Sequence, residues 1–371
     1  MPQDQISALI EQVKSASASP RNASRGKARP SLVIGIEDPI AWTILFGYDV
    51  NQYFTDPLFY VEQTLRLKLW RFEHIEDEIP LTAELPAWLG HYPEYTFLGM
   101  AVSFNPRGVP LIQPDHPLSQ TPDLGLLAPV DFKTSGWMPR ILRWYEDINR
   151  IVAGRLKVTF NMTWWRGCLD LAIQLRGYDQ FVADIMERPG FVHQLLLFLT
   201  EQRCRWHEHY CRHFGLPLAP AGVADDWINI PFISPQFFAD FVLPRYLEIE
   251  RFHGGISGVH SCGNQTPVQQ YLLLIRSLNH FEVSPWTDLT QTLRNLPPDK
   301  TLGVALHPND VLCASPEQMA DKLRFITASC AGRHYGISTS GLTPITGDPQ
   351  DYLDSIARWL AIARQICHPP A

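Results

Sequence analysis

Gly254-Gly255-Ile256-Ser257-Gly258-Val259-His260-Ser261-Cys262-Gly263-Asn264 reads as a short buried strand that carries a His-x-Cys pair, and then a Gly-Asn turn, to its C-terminal end. Side chains alternate along a strand, so residues two apart lie on one side, and the imidazole and the thiol face the same ion. The pair is half of a zinc site, because zinc takes three or four ligands from Cys, His and carboxylate. The other ligands have to come from neighbouring elements, so the pattern on either side of this strand decides where they are sought.

That pattern is a repeat of short apolar runs and helix-length periodic stretches. Strand candidates lie at 32–36, 97–104, 156–162, 221–224, 255–260, 281–284, 302–306 and 335–339. Helical patterns lie between them at 181–187, 191–214, 235–252, 267–278, 316–329 and 349–366. Helix starts are marked by Asx or Ser caps followed by proline: Asp56-Pro57, Ser234-Pro235, Ser315-Pro316 with Gln318 closing a capping box, and Asp348-Pro349. Alternation of this kind indicates a parallel sheet with helices outside. Eight units suggest an α/β (β/α)8 TIM barrel, and an open doubly wound sheet satisfies the same count. An N-terminal extension, 1–30, with an amphipathic start (Ile6, Leu9, Ile10, Val13), is expected to be a loosely docked helix and a flexible segment ahead of a single domain over 31–371. The stretch 80–139, rich in Pro, Gly and Asp, breaks the repeat and reads as a segment inserted after the second strand, a lid, a pocket wall or a decoration.

Composition narrows the function. A net charge of -7 and the lack of a dense basic run beyond the small cluster Arg21, Arg25, Lys27 and Arg29 argue against a nucleic-acid partner. Seven cysteines and a polar start where a secretory leader needs an apolar core point to a reducing, cytoplasmic setting with cysteines as core fillers or ligands. No apolar run approaches the ~20 residues that span a bilayer. No glycine-rich phosphate cradle or Gly-x-Ser-x-Gly elbow is present, which disfavours dinucleotide enzymes and serine hydrolases. Eleven Trp, 12 Tyr and 19 Phe suit a deep pocket and equally a large core.

In a barrel the ligand site is built at the C-terminal strand ends, which here carry Glu37, Asp38, Asn105, Arg107, Asn161, Trp164, Arg166, Asp225, Asp226, Asn264, Trp286, His307 and Ser340. For the metal half-site the added ligand candidates are His307, best placed by topology, then Glu282, Cys313, Cys330 and His334; without a metal, Cys262 is a small core hydrophobe and His260 a partner for a carboxylate. Asp225 and Asp226 face opposite ways on an extended segment, so at most one enters the pocket, to hold a substrate group or to stand behind His260. Arg166 is available for a substrate carboxylate, or sits on the rim.

The motifs Gly167-Cys168-Leu169-Asp170-Leu171-Ala172-Ile173-Gln174-Leu175-Arg176-Gly177, Asp225-Asp226-Trp227 with Ile233-Ser234-Pro235-Gln236-Phe237-Phe238, His260-Ser261-Cys262-Gly263-Asn264, Leu306-His307-Pro308-Asn309-Asp310 and Ser340-Gly341-Leu342-Thr343-Pro344 occur in an order and spacing that resembles the uroporphyrinogen decarboxylase superfamily. The resemblance runs from about Ser31 onward and is greatest to its corrinoid-dependent methyltransferase-like branch, a superfamily that also holds cobalamin-independent methionine synthase domains. It implies a barrel, and for the methyltransferases a zinc held by the His-x-Cys pair and a further Cys after the last strand. Gly341 stands where that cysteine is expected. The decarboxylases' N-terminal Arg-Gln-Ala-Gly-Arg loop is absent and Ser340 replaces their last-strand histidine, so tetrapyrrole decarboxylation is not expected.

The leading expectation is a methyltransferase moving a methyl group between a corrinoid carrier protein and a small thiol or pterin. His260 and Cys262 hold zinc, with His307 completing it; Asp225 or Asp226 orients the acceptor, Glu37 and Asn161 make polar contacts, and Trp164, Trp286, Asn264 and Ser340 shape the pocket. The rivals are a metal-free decarboxylase or lyase of a small carboxylated substrate, with Arg107 or Arg166 as clamp, and a non-enzymatic small-molecule-binding barrel.

Overall fold

The computed structural model describes residues 2–25, 30–36, 39–344 and 348–368. Ten strands are formed: β1 Ser31–Val33, β2 Glu84–Ala87, β3 Val102–Asn105, β4 Gly108–Ile112, β5 Lys157–Phe160, β6 Ala221–Ala224, β7 Ile256–His260, β8 His280–Val283, β9 Thr301–Leu306 and β10 Tyr335–Thr339. Six of them make one parallel sheet in the order β1-β10-β9-β8-β7-β6, β2 and β5 pair in parallel, and β3 and β4 form an antiparallel hairpin. The fold is thus α/β with parallel sheets surrounded by helices. The expected single closed ladder of eight is not what the hydrogen bonds give: among the described residues no ladder joins β1 to β2, and β5 approaches β6 through one bridge, Arg166 to Ala224.

Alternation explains the layering. On β9 Leu302, Val304 and Leu306 are buried, while Thr301, Gly303 and Ala305 on the other face stay partly accessible. The caps form as the sequence requires: Asp56 accepts from Leu58 and Phe59 N–H, Ser234 from Phe237, and Ser315 and Gln318 close their box. The helix expected at 235–252 contains a π-turn, Phe238–Val242, immediately before Pro244, whose missing N–H breaks the regular ladder there.

Two differences concern the chain before residue 140. The strand expected at 97–104 is not formed: Phe97 closes a short helix, Pro93–Phe97, Gly99 turns at φ +90°, and β3 belongs to the hairpin. The strand of the repeat is β2, hidden in the sequence by Pro86. Proline is tolerated there because β2 pairs on one side only, with Pro86 opposite Thr159, and its carbonyl accepts from the Tyr60 hydroxyl at 2.6 Å. The segment 80–139 is therefore part repeat and part insertion.

At the N-terminus, Ile6, Leu9, Ile10 and Val13 of the helix Pro2–Ser17 are buried, and that helix packs against the helix Pro57–His74. Arg25 is tied to the body of the chain. Its guanidinium donates to the carbonyls of Phe72, Ile75 and Ile79 and lies over the Phe72 ring, which closes the end of the helix Pro57–His74. Lys27 and Arg29 lie outside the described residues.

Candidate functional site

Strand β7 ends at His260, and the turn after it is fixed from several sides. The buried Ser261 hydroxyl donates to the Ile228 carbonyl, Asn264 N–H donates to Asn229 Oδ1, and the Asn264 side chain accepts from Thr266 N–H. Any side chain at Gly263 would overlap the Asn229 amide, so the close approach of these two loops requires glycine. Register then builds the site: Ala224 pairs with His260, and two residues further along each chain Asp226 stands beside Cys262.

Three donor atoms converge. His260 Nε2 lies 3.4 Å from Cys262 Sγ and 3.5 Å from Asp226 Oδ1, and all three ligand atoms fall within 4.8 Å of one another. Behind the imidazole, Nδ1 is 2.6 Å from Glu282 Oε2 on β8, which assigns the N–H to Nδ1 and turns Nε2 toward the thiol. Burial opposes charge on His260, yet its hydrogen bonds and charge interactions with Cys262 and Glu282 outweigh that and push its pKa to about 10.

Asp226 serves two partners. Oδ1 faces the cluster and Oδ2 meets Arg166 Nη1 at 2.8 Å. Burial works against the ionised form, but Arg166, the Cys262 thiol and His260 together hold its carboxyl below the ordinary range. Arg166, 6% exposed, also bonds Asp170 at 2.7 Å and lies over the rings of Trp165, Tyr92 and Tyr95. Tyr95 donates to the same Asp170 oxygen at 2.9 Å. Asp225 points the other way into the core, where it accepts from Leu169 N–H and the Tyr246 hydroxyl, and burial drives its pKa well up. Beside the cluster a cavity of about 430 Å³ is lined by Tyr92, Tyr95, Arg166, Asp226, Trp227 and Phe232.

The other expected residues disperse. His307 is outside the donor group: its Nδ1 accepts from Asn309 N–H, and its ring meets the edge of Trp286 at 6.0 Å. Trp164 is buried against Phe97, and its neighbour Trp165 stacks over His260 at 6.5 Å instead. Asn161 and Arg107 are exposed, Arg107 on the β3–β4 turn, and Ser340 is tied through its N–H to Leu306. Glu37 and Asp38 lie outside the described residues. Of the residues not singled out, Asp170 carried a signal, being four positions after Arg166 at the start of a helix. Tyr92 and Tyr95 carried none, since they sit in the irregular stretch.

Behind Trp164 is a nest of buried bases. His207 Nε2 donates to the Trp164 carbonyl at 2.7 Å; His253 Nδ1 donates to Ala219, and its Nε2 accepts from Arg203 at 3.2 Å. Burial, with Arg203 adding to it, lowers His253 to about 4 and His207 well below its ordinary value. Between the usual 6.5 and about 4 the unfolded chain therefore binds a proton that folded His253 refuses, so stability is full above that window and falls as the pH drops through it. The melting temperature should decline by several degrees from pH 7 to pH 4.5, and less steeply in His253→Gln, whose amide keeps both bonds; equal slopes in a thermal melt series would refute the assignment.

No protein-family model and no curated protein sequence matches the chain. Among solved structures, a methyltransferase from Methanosarcina mazei superposes with a TM-score of 0.65 at 15% identity, covering 96% of this chain and 98% of that one. At that identity the likeness concerns the fold. A Listeria monocytogenes protein provisionally described as a vitamin-B12-independent methionine synthase gives a TM-score of 0.35 at 11% identity over 64% of this chain and 72% of its own, too low to carry an argument.

Proposed function

We propose that this chain is a methyltransferase that moves a methyl group between a corrinoid carrier protein and a small thiol, at a zinc site on the C-terminal strand ends, and that its two parallel sheets are arcs of one (β/α)8 barrel. The observation that carries the reading is the spacing of the donor atoms. Ligands at ~2.0 Å (N) and ~2.3 Å (S) on a tetrahedral zinc lie roughly 3.3–3.6 Å apart. Both measured edges from His260 Nε2, 3.4 Å to Cys262 and 3.5 Å to Asp226, fall in that range. The donor set of sulfur, imidazole and carboxylate is one that zinc takes, and Asp226 stands in for the cysteine missing at Gly341.

His260, Cys262 and Asp226 would hold the ion. Zinc, when bound, supplies the Lewis acidity that keeps an acceptor thiol deprotonated and nucleophilic. Glu282 holds one imidazole proton on Nδ1, so that Nε2 is the nitrogen that would give its lone pair to the ion, in place of the proton that the raised pKa puts there. Arg166 keeps Asp226 ionised and fixes Oδ2, which aims Oδ1. Cys262 is exposed, so the cluster is open on the side an acceptor must enter, and Trp165, Tyr92, Trp227 and Phe232 wall that entrance with apolar surface that limits water. Arg166 being taken up by two carboxylates is the observation that ranks decarboxylation lower, since of the two clamps assigned to that reading it leaves only Arg107, exposed on the β3–β4 turn. All seven cysteines are free, and among the described residues no helix is long and apolar enough to cross a membrane; both suit a cytoplasmic enzyme.

The test is turnover. Chelator-free protein should transfer methyl from methylcobalamin, used in place of the carrier, to one of a panel of small thiols, followed by the change in corrinoid absorbance and by mass spectrometry of the thioether. Folded protein that carries no zinc and methylates none of them would overturn the reading.

A further inference from the structure

A cavity of about 770 Å³ lies at the opposite end of the sheet from the donor cluster, where β1, β8, β9 and β10 begin with Ser31, His280, Thr301 and Tyr335. Parallel sheets are ordinarily covered by apolar side chains on both faces. Here the face that opens into the cavity carries Ser31, Thr301, Gly303, Gly336 and Ser338, and the register sets Ser31, Gly336 and Gly303 in one row across three strands. Two polar side chains fold over that row. A Cβ on Gly303 would stand 2.7 Å from His280 Nε2, and one on Gly336 would stand 2.5 Å from Ser31 Oγ, so the two glycines leave the space that these atoms occupy. Gly303 and Gly336 are partners on adjacent strands, roughly 4.8 Å apart, so the imidazole and the hydroxyl approach one small volume from its two sides. Thr301, the register partner of His280, stands beside it.

The charge around this volume has one sign. Among the described residues His280, Arg333 and His334 line the cavity and no Asp or Glu does, in a chain whose net charge is -7. Arg333 is a fixed cation, because its guanidinium donates to the carbonyls of Leu293, Leu296 and Pro297. Lys300 adds a second at the same end, its ammonium 3.0 Å from the Leu278 carbonyl, two residues before His280. The side chains of Ser31, His280, Thr301, His334 and Ser338, by contrast, make no hydrogen bond among the described residues, and all five are exposed or half-buried where they line the cavity. Hydroxyl and imidazole donors in a positive field match the acceptor-only oxygens of an oxyanion. The volume is several times that of a bare phosphate, and Pro30 and Val33 add apolar surface, which suits an anion carried on an organic body.

We propose that the cavity at the starts of β1, β8, β9 and β10 binds a small organic phosphate, with His280 Nε2 and the Ser31 and Thr301 hydroxyls donating to its phosphoryl oxygens and with Arg333 and Lys300 supplying the field that favours the anion. The site lies at the other end of the strands from His260, Cys262 and Asp226 and does not need the methyl-transfer reading. A sugar phosphate and a nucleotide share this chemistry, and the experiment separates them.

Glycerol phosphate and adenosine monophosphate, each beside its counterpart without phosphate, glycerol and adenosine, are titrated into the full chain by calorimetry at low ionic strength. One phosphate should bind at least ~10-fold tighter than its counterpart, a discrimination of the size expected for hydrogen bonds to a charged group, and which of the two binds identifies the body as polyol or nucleoside. His280→Ala removes an exposed side chain that holds no other group, and should reduce that preference below about threefold with an unchanged circular dichroism spectrum. Cys262→Ala, which disables the donor cluster as a rival anion site, should keep the full preference. If neither phosphate is preferred to its counterpart, if the preference survives in His280→Ala, or if Cys262→Ala abolishes it, the proposal fails; the comparison of ligands on the unaltered chain holds even where a variant does not fold.

Discussion

Cys262→Ala is expected to lower bound zinc from about one per chain to a trace, and methyl transfer with it by at least ~1,000-fold, while leaving the fold intact. The donor set contains a single sulfur, and removing it leaves one imidazole and one carboxylate, fewer than the three or four ligands by which proteins hold zinc. Cys262 is exposed, with its thiol beside His260 and Asp226 and outside the buried core, so stability should change by no more than about 0.5 kcal/mol. Inductively coupled plasma analysis beside a thermal melt makes the two readings independent. Full metal content in the alanine variant would show that the thiol is no ligand and would remove the basis of the zinc reading.

Arg166→Met should be the most destabilising change near the site, by about 3–5 kcal/mol in urea unfolding. The guanidinium is the shared partner of Asp170 and Asp226, and Asp170 is 3% exposed. With the cation gone, Asp170 keeps only the Tyr95 hydroxyl and must take up a proton or draw in water. Adding Asp170→Asn should recover part of the loss, because the neutral amide no longer needs a counter-charge. A single-variant cost below ~1 kcal/mol would mean that the pair contributes little more than exposed ion pairs do.

The sheet-forming part of the chain was readable because each strand is short, apolar and followed by a marked helix start. β6, β9 and β10 lie where periodicity puts them within a residue, whereas β2 was concealed by Pro86 and by its position in an irregular segment. The site was half legible. A period of two is enough to place His260 and Cys262 together, and to divide Asp225 from Asp226. Deciding which aspartate joins them needs the β6–β7 register, which pairs Ala224 with His260 and which no local pattern encodes. His307 was favoured because its strand ends at the same rim, but a rim position does not fix direction, and its ring turns to Asn309 and Trp286.

Because one carboxylate group answers to both Arg166 and the donor cluster, filling the cluster and ordering the arginine are reciprocal events. Whatever draws charge from Asp226 through Oδ1 weakens its hold on Arg166 through Oδ2, and whatever moves Arg166, whose guanidinium lines the aromatic cavity, alters affinity at the cluster by the same factor. A molecule settling among Tyr92, Trp227 and Phe232 would thus have a thermodynamic line to an ion held at the cluster without touching it, and such an ion would have the same line back.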